Sequence, residues 1–244
     1  MANRTRKRLS KSELKKDPVY ENLENALVFV KARYKELLGG LLVIILGIVA
    51  VNALTSASKR AEDSAMAGFI TASGLYDQAM RAAASGDMQT TVQALEACNA
   101  MATETWNQHP QRNWGRRCAI MASKVMILQG NNDQAMTVLG ELLATRPAKD
   151  VEISAQIHMA TALENRGSAQ DLENAATAYQ RVLELAEEDP DFTLMAAEAM
   201  KGLSRVSWAR GDTQAAGEWL RQSLELNPDT TAYVGYQLAR LNVR

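Results

Sequence analysis

Two patterns of apolar residues divide the chain. Between Leu37 and Leu54 eighteen residues pass without a charge, and only Asn52 is polar. As a helix this run covers roughly 27 Å, close to one hydrocarbon core. A buried helix of a water-exposed domain would show a polar face within five turns, and this run shows none. A cleaved signal peptide has a short basic start, whereas 36 residues precede the run and contain helix-forming sequence of their own. No Cys sits directly behind the run, which removes a bacterial lipoprotein signal. The expectation is one uncleaved transmembrane helix over residues 37–55.

Ahead of the run, Val19, Leu23, Leu27, Val30 and Tyr34 recur at spacings of three and four, the period of a helix with one apolar face. Ser10 and Glu13 have capping-box spacing, and Asp17–Pro18 reads as an N-cap followed by proline at the first helical position. Charge changes the picture here. Residues 1–36 hold ten Lys/Arg and five Asp/Glu, whereas residues 56–244 hold seventeen and twenty-three. A net charge of −1 therefore hides a basic arm and a mildly acidic remainder. Positive residues stay on the cytoplasmic side, so the arm is expected inside and residues 56–244 outside, in the periplasm of a diderm bacterium. The apolar stripe of the arm would ride on the membrane surface or on a partner. A basic run also attracts nucleic acid, but with a span some twenty residues away anionic lipid is the simpler explanation, and no nucleic-acid partner is expected.

Behind the span, punctuation reveals a repeat. Gly86-Asp87, Gly130-Asn131, Gly167-Ser168 and Gly211-Asp212 each look like a turn between helices, and Pro110, Pro147, Pro190 and Pro228 each close an apolar run. Gly-to-Pro distances are 24, 17, 23 and 17 residues. Four αα-hairpins of roughly forty residues follow, and hairpins at a fixed period form a solenoid because one hairpin cannot bury its own apolar face. These residues resemble the tetratricopeptide repeat. Gly130, Ala135, Leu139, Leu142 and Pro147 fall on its consensus positions, with Ser123 at the small position of the first helix. Leu203, Ser204, Gly211, Ala216, Leu220, Ser223 and Pro228 do the same in the last unit. In the third unit Ala175 and Tyr179 fit after about three extra residues in the turn at Ser168–Gln170. The first unit keeps Leu95 and Cys98 in register, with Thr91 at the usual alanine. Asp229–Asn242, with Val234, Leu238 and Leu241 on one stripe, is expected to be a terminal capping helix. The fold class is all-α: a basic arm (1–36), a transmembrane helix (37–55) and a repeat domain (56–244).

Candidate chemistry is sparse. His109 and His158 have no second His or Cys at metal-ligand spacing, and no glycine-rich phosphate loop or nucleophile motif occurs. Glu187, Glu188, Asp189 and Asp191 read as a solvated helix end. Met126, Met136 and Met159 read as core filling. Trp106 and Trp114 flank the His109–Pro110 turn, either as a rigid corner or as an exposed aromatic contact. No catalytic residue, metal or cofactor is expected, and no small-molecule substrate.

The arm, span and repeats together resemble the YfgM family, the ancillary subunit of the bacterial Sec translocon. The resemblance implies an inner-membrane location, association with the translocon, and a role in handing emerging chains to periplasmic chaperones. The other reading is a structural accessory subunit of another large membrane complex; translocated polypeptides or membrane-complex subunits would be the partners. In tetratricopeptide solenoids the first helix of each hairpin lines the concave face. That register places Arg117, Ile120, Lys124 and Ile127 there from the second unit, Ile157 and Thr161 from the third, and Lys201, Arg205 and Trp208 from the fourth. Such a lining would suit an acidic or amphipathic peptide; ordinary solvated cations, with Ile120 and Trp208 in the core, are the alternative. The same register faces Cys98 towards Cys118, so either a disulfide or two buried thiols would fit.

Overall fold

The computed structural model describes residues 18–187, 189–228 and 237. These are all-helical, with eight α-helices and no strand. In chain order the helices are α1 (Pro18–Ser85), α2 (Met88–Gln108), α3 (Asn113–Leu128), α4 (Asn132–Ala144), α5 (Lys149–Arg166), α6 (Ala169–Ala186), α7 (Thr193–Ala209) and α8 (Thr213–Leu226). A 3-10 turn, Pro190–Phe192, precedes α7. The capping box at Ser10, the N-cap at Asp17 and the terminal helix lie outside the described residues, apart from Gln237, which is helical.

By its own contacts the chain divides into two units, Met1–Lys59 and Arg60–Arg244. In the first, every described side chain from Glu21 to Ala57 is exposed. The large apolar side chains of residues 37–54 are 45–72% exposed, and the helix is long and apolar enough to cross a membrane. One residue departs from helical geometry: Arg33, at φ −120 and ψ 20, where α1 kinks.

The second unit is built on close approach of small residues. Ala65, Ala72 and Ala79 of α1 are fully buried at a spacing of seven, and opposite them Ala94, Cys98 and Ala102 of α2 are covered. A Cβ on Gly68 would come within 2.2 Å of Thr105 Oγ1 on α2. From α2 onward each helix packs on its successor, and in addition α3 packs on α5 and α5 on α7. Apolar residues form two cores. Ala72 to Ala155 make the first and Ile153 to Val206 the second, with α5 contributing to both and Met159 touching both. The expected repeat positions Ser123, Ala135, Leu139, Leu142, Leu203, Ser204, Ala216, Leu220 and Ser223 are all buried.

The four glycine turns take the backbone they need. Gly86, Gly130, Gly167 and Gly211 have φ between 73 and 82, a left-handed conformation that costs other residues dearly. At Gly86, Gly130 and Gly211 the following residue donates its N–H five residues back, to Ala82, Met126 and Ser207, while the glycine N–H bonds three residues back. This double closure is the Schellman arrangement. Gly167 differs, donating once, to the Leu163 carbonyl, and Ser168 caps α6 through Asp171 N–H. The turn at Ser168–Gln170 therefore holds no extra residues, contrary to the expectation from register. α6 begins at Ala169 and runs 18 residues, against 13 for α4 and 14 for α8, so the added length is inside the helix.

Two glycine substitutions test this packing in opposite directions. A Cβ on Gly202 would stand 2.2 Å from Cζ of Tyr179, so Gly202→Ala should lower unfolding stability by about 1–3 kcal/mol. Gly140, exposed in α4 with nothing within 4 Å of its Cβ, should gain up to about 1 kcal/mol as Gly140→Ala. Chemical unfolding of the detergent-solubilised full chain reads both; equal effects would mean that the α6–α7 approach is looser than described.

Candidate functional site

Because α3, α5 and α7 pack on one another in turn, while no comparable contact joins α4 to α6 or α6 to α8, the first helices of successive hairpins form a continuous surface. The nine predicted lining residues belong to these three helices. Their side chains, however, are largely engaged within the protein.

Arg117 Nη2 meets Asp150 Oδ2 at 2.5 Å, joining α3 to α5, and its guanidinium lies 5.6 Å from the Trp114 ring centroid. Lys201 Nζ pairs with Glu198 at 2.5 Å on α7 itself. Arg205 is the most committed. Its Nε and Nη2 donate to the two oxygens of Glu164 at 3.0 and 2.9 Å, and Nη2 also donates to the Tyr179 hydroxyl at 3.1 Å. Tyr179, on α6, donates to Glu164 Oε2 at 2.5 Å, with Thr161 Oγ1 3.3 Å from its hydroxyl oxygen. Burial opposes the charge of Arg205, but its hydrogen bonds to Glu164 and that carboxylate's charge outweigh it, and the pKa rises. Burial, then the Glu164 charge, also raises that of Tyr179. A fork of charge-assisted hydrogen bonds thus ties α5, α6 and α7. Charge reversal at Arg205 would break the fold's own network and is no clean probe of a binding surface.

Lys124 is different. Its ammonium sits 4.3 Å from the Tyr76 ring centroid, over the face of a residue on α1. Ile120 and Ile127 lean on the first core and Ile157 on the second. Trp208 is 53% exposed, so it does not belong to the core. Three surface hollows, of about 610, 660 and 430 Å³, lie elsewhere, between α2 and α3, around the end of α6, and between α5 and α6; none of the nine residues lines them. Sequence reading missed Asp150, Glu164, Tyr76 and the Tyr179 hydroxyl. Nothing local announces these partners, since Arg117 and Asp150 are 33 residues apart and Arg205 and Glu164 are 41 apart.

The aromatic corner is a packed one. Trp106 is 4% exposed, and Trp114 stacks tilted on Phe69 with centroids 5.0 Å apart. Cys98 and Cys118 are fully buried free thiols in the first core, and burial pushes each up to about 11. Among the described residues no group of three His, Cys, Asp or Glu is placed to hold a metal ion. The chain matches no family model and no curated protein.

His158, on α5, is held neutral: burial first, then the Lys124 charge, depress it from 6.5 to about 4. A lowered folded pKa means that the unfolded chain takes up the proton first as pH falls. The stability this side chain contributes is therefore intact above 6.5 and is lost progressively towards 4. Thermal midpoints of wild type and His158→Gln should stay parallel above pH 6.5 and converge or cross between 6.5 and 4, the wild type falling faster. Parallel curves throughout would show that His158 is solvated.

Proposed function

We propose that this protein is a membrane-anchored protein–protein interaction module: residues 37–55 span the inner membrane, the basic arm is cytoplasmic, and residues 56–244 form a tetratricopeptide-like solenoid in the periplasm. The observation that carries this reading is the pairing of an uncovered, charge-free helix with a file of hairpins whose first helices make one continuous surface. Short Schellman-closed turns and small residues buried at repeat positions support the solenoid. The excess of Lys and Arg ahead of the span supports the orientation.

Recognition on the α3–α5–α7 surface would rest on side chains the protein leaves accessible. Leu194 and Trp208 of α7 are 65% and 53% exposed, and Lys124 lies over a ring instead of a carboxylate. A peptide segment meeting such a surface gains most from aromatic and aliphatic contact, with charge setting its direction. With the resemblance to the YfgM family, the partner of choice is the secretory translocon and the chains leaving it, and the protein acts as an ancillary subunit of the periplasmic chaperone network. No chemical step is assigned to it.

Crosslinking in native membranes followed by mass spectrometry tests the assignment. Links from residues 60–228 to translocon channel subunits or to emerging secretory chains are expected. Links confined to one stoichiometric assembly of another kind would overturn the translocon role and favour a scaffold subunit of that complex.

A further inference from the structure

The segment of α1 ahead of the charge-free run has a face of its own. Leu23, Leu27 and Val30 are 48–59% exposed, and at 100° per residue they fall within about 60° of arc. Lys31 and Glu24 border this stripe on one side and Arg33 borders it on the other, Glu21 and Asn25 lie opposite, and Lys35 follows directly behind the kink. Lysines along the edge of an apolar stripe can bury their stems in hydrocarbon and leave the ammonium among headgroups. Two basic groups lie over rings of the same segment, Arg33 over Phe29 at 5.6 Å and Lys35 by Tyr34 at 6.0 Å.

An upright extension of a spanning helix does not suit this stripe. At 1.5 Å per residue Leu23 would stand roughly 20 Å beyond Leu37, in water. The one departure from helical geometry in α1 falls between the stripe and the apolar run, at Arg33. A break at that position lets the two stretches take different directions. Residues 18–36 balance three Lys/Arg against three Glu, and the net charge of +5 is carried by residues 1–17 immediately ahead of them, so the surface that attracts this end of the chain is an anionic one.

We propose that residues 18–33 lie in the plane of an anionic lipid leaflet as an interfacial helix, Leu23, Leu27 and Val30 down, with the Arg33 kink as the corner from which the chain turns into the bilayer. The proposal rests on residues 37–55 spanning that bilayer. Binding of this kind combines buried apolar area with attraction to anionic headgroups, so both lipid charge and the flanking lysines matter.

The test uses the full chain reconstituted in vesicles of phosphatidylcholine alone or with phosphatidylglycerol. An environment-sensitive fluorophore is placed singly at Leu27→Cys, Glu24→Cys or Ile44→Cys; the buried thiols of Cys98 and Cys118 are shielded from labelling in the folded protein. Quenchers in the lipid and in the water then report depth. The proposal expects position 27 to be quenched from the lipid and position 24 from the water. It also expects quenching at 27 to weaken severalfold without phosphatidylglycerol, or after Lys31→Glu with Lys35→Glu. Position 44 should be quenched from the lipid in every vesicle. Position 27 open to aqueous quencher, with position 44 still in lipid, overturns the interfacial helix and leaves the span standing. Position 27 shielded from both quenchers overturns it in favour of a protein partner, and position 44 open to water overturns the span and the proposal together.

Discussion

Twelve large apolar side chains between Leu37 and Leu54 stand 45–72% exposed, and nothing in their own unit covers them. Removing one such side chain from water is worth about 1.5–3 kcal/mol. A dozen together outweigh the whole stability of an ordinary domain, about 5–15 kcal/mol. This requirement for a non-aqueous surrounding organises the remainder of the account. It makes the positive charge ahead of the run meaningful, and it turns the amphipathic stretch around Leu23–Val30 from a surface oddity into part of an anchor.

The second unit solves the opposite problem, building a covered core with few large residues. Alanines and glycines dominate its contacts: Ala65, Ala72, Ala79, Ala122, Ala135, Ala160, Ala175 and Ala199 are completely covered. Small side chains let helix axes approach, and large ones such as Leu139, Leu142 and Tyr179 fill what is left. The cost of that economy is intolerance, since Gly68 and Gly202 have no room for a methyl group. Tyr179 shows how the economy is locked. Its ring lies on Gly202 of α7 while its hydroxyl meets Glu164 of α5, so one side chain fixes the spacing of three helices.

Much of this was legible in the sequence because glycine and proline act locally. Gly86, Gly130, Gly167 and Gly211 announce a left-handed residue at a helix end wherever they stand, and the charge-free run announces itself by length alone. What could not be read was non-local. Glu164 and Arg205 are 41 residues apart, on α5 and α7, with the whole of α6 between them in the chain. Register alone placed the extra residues in the turn after Gly167; the single hydrogen bond there, in place of the paired closure of the other turns, shows otherwise. Likewise the cations at Arg117, Lys201 and Arg205 read as a free lining, since their carboxylate partners sit on a neighbouring repeat or one turn away.

Anchor and repeats make sense together if the repeat domain works on the side of the membrane opposite the basic arm. Limited proteolysis of sealed right-side-out spheroplasts asks this most directly. Protease added outside should digest the repeat domain and leave a protected fragment of roughly the first sixty residues, and the whole chain should become sensitive only when the membrane is opened. Protection of the repeat domain in intact spheroplasts would contradict the orientation and, with it, the proposed role.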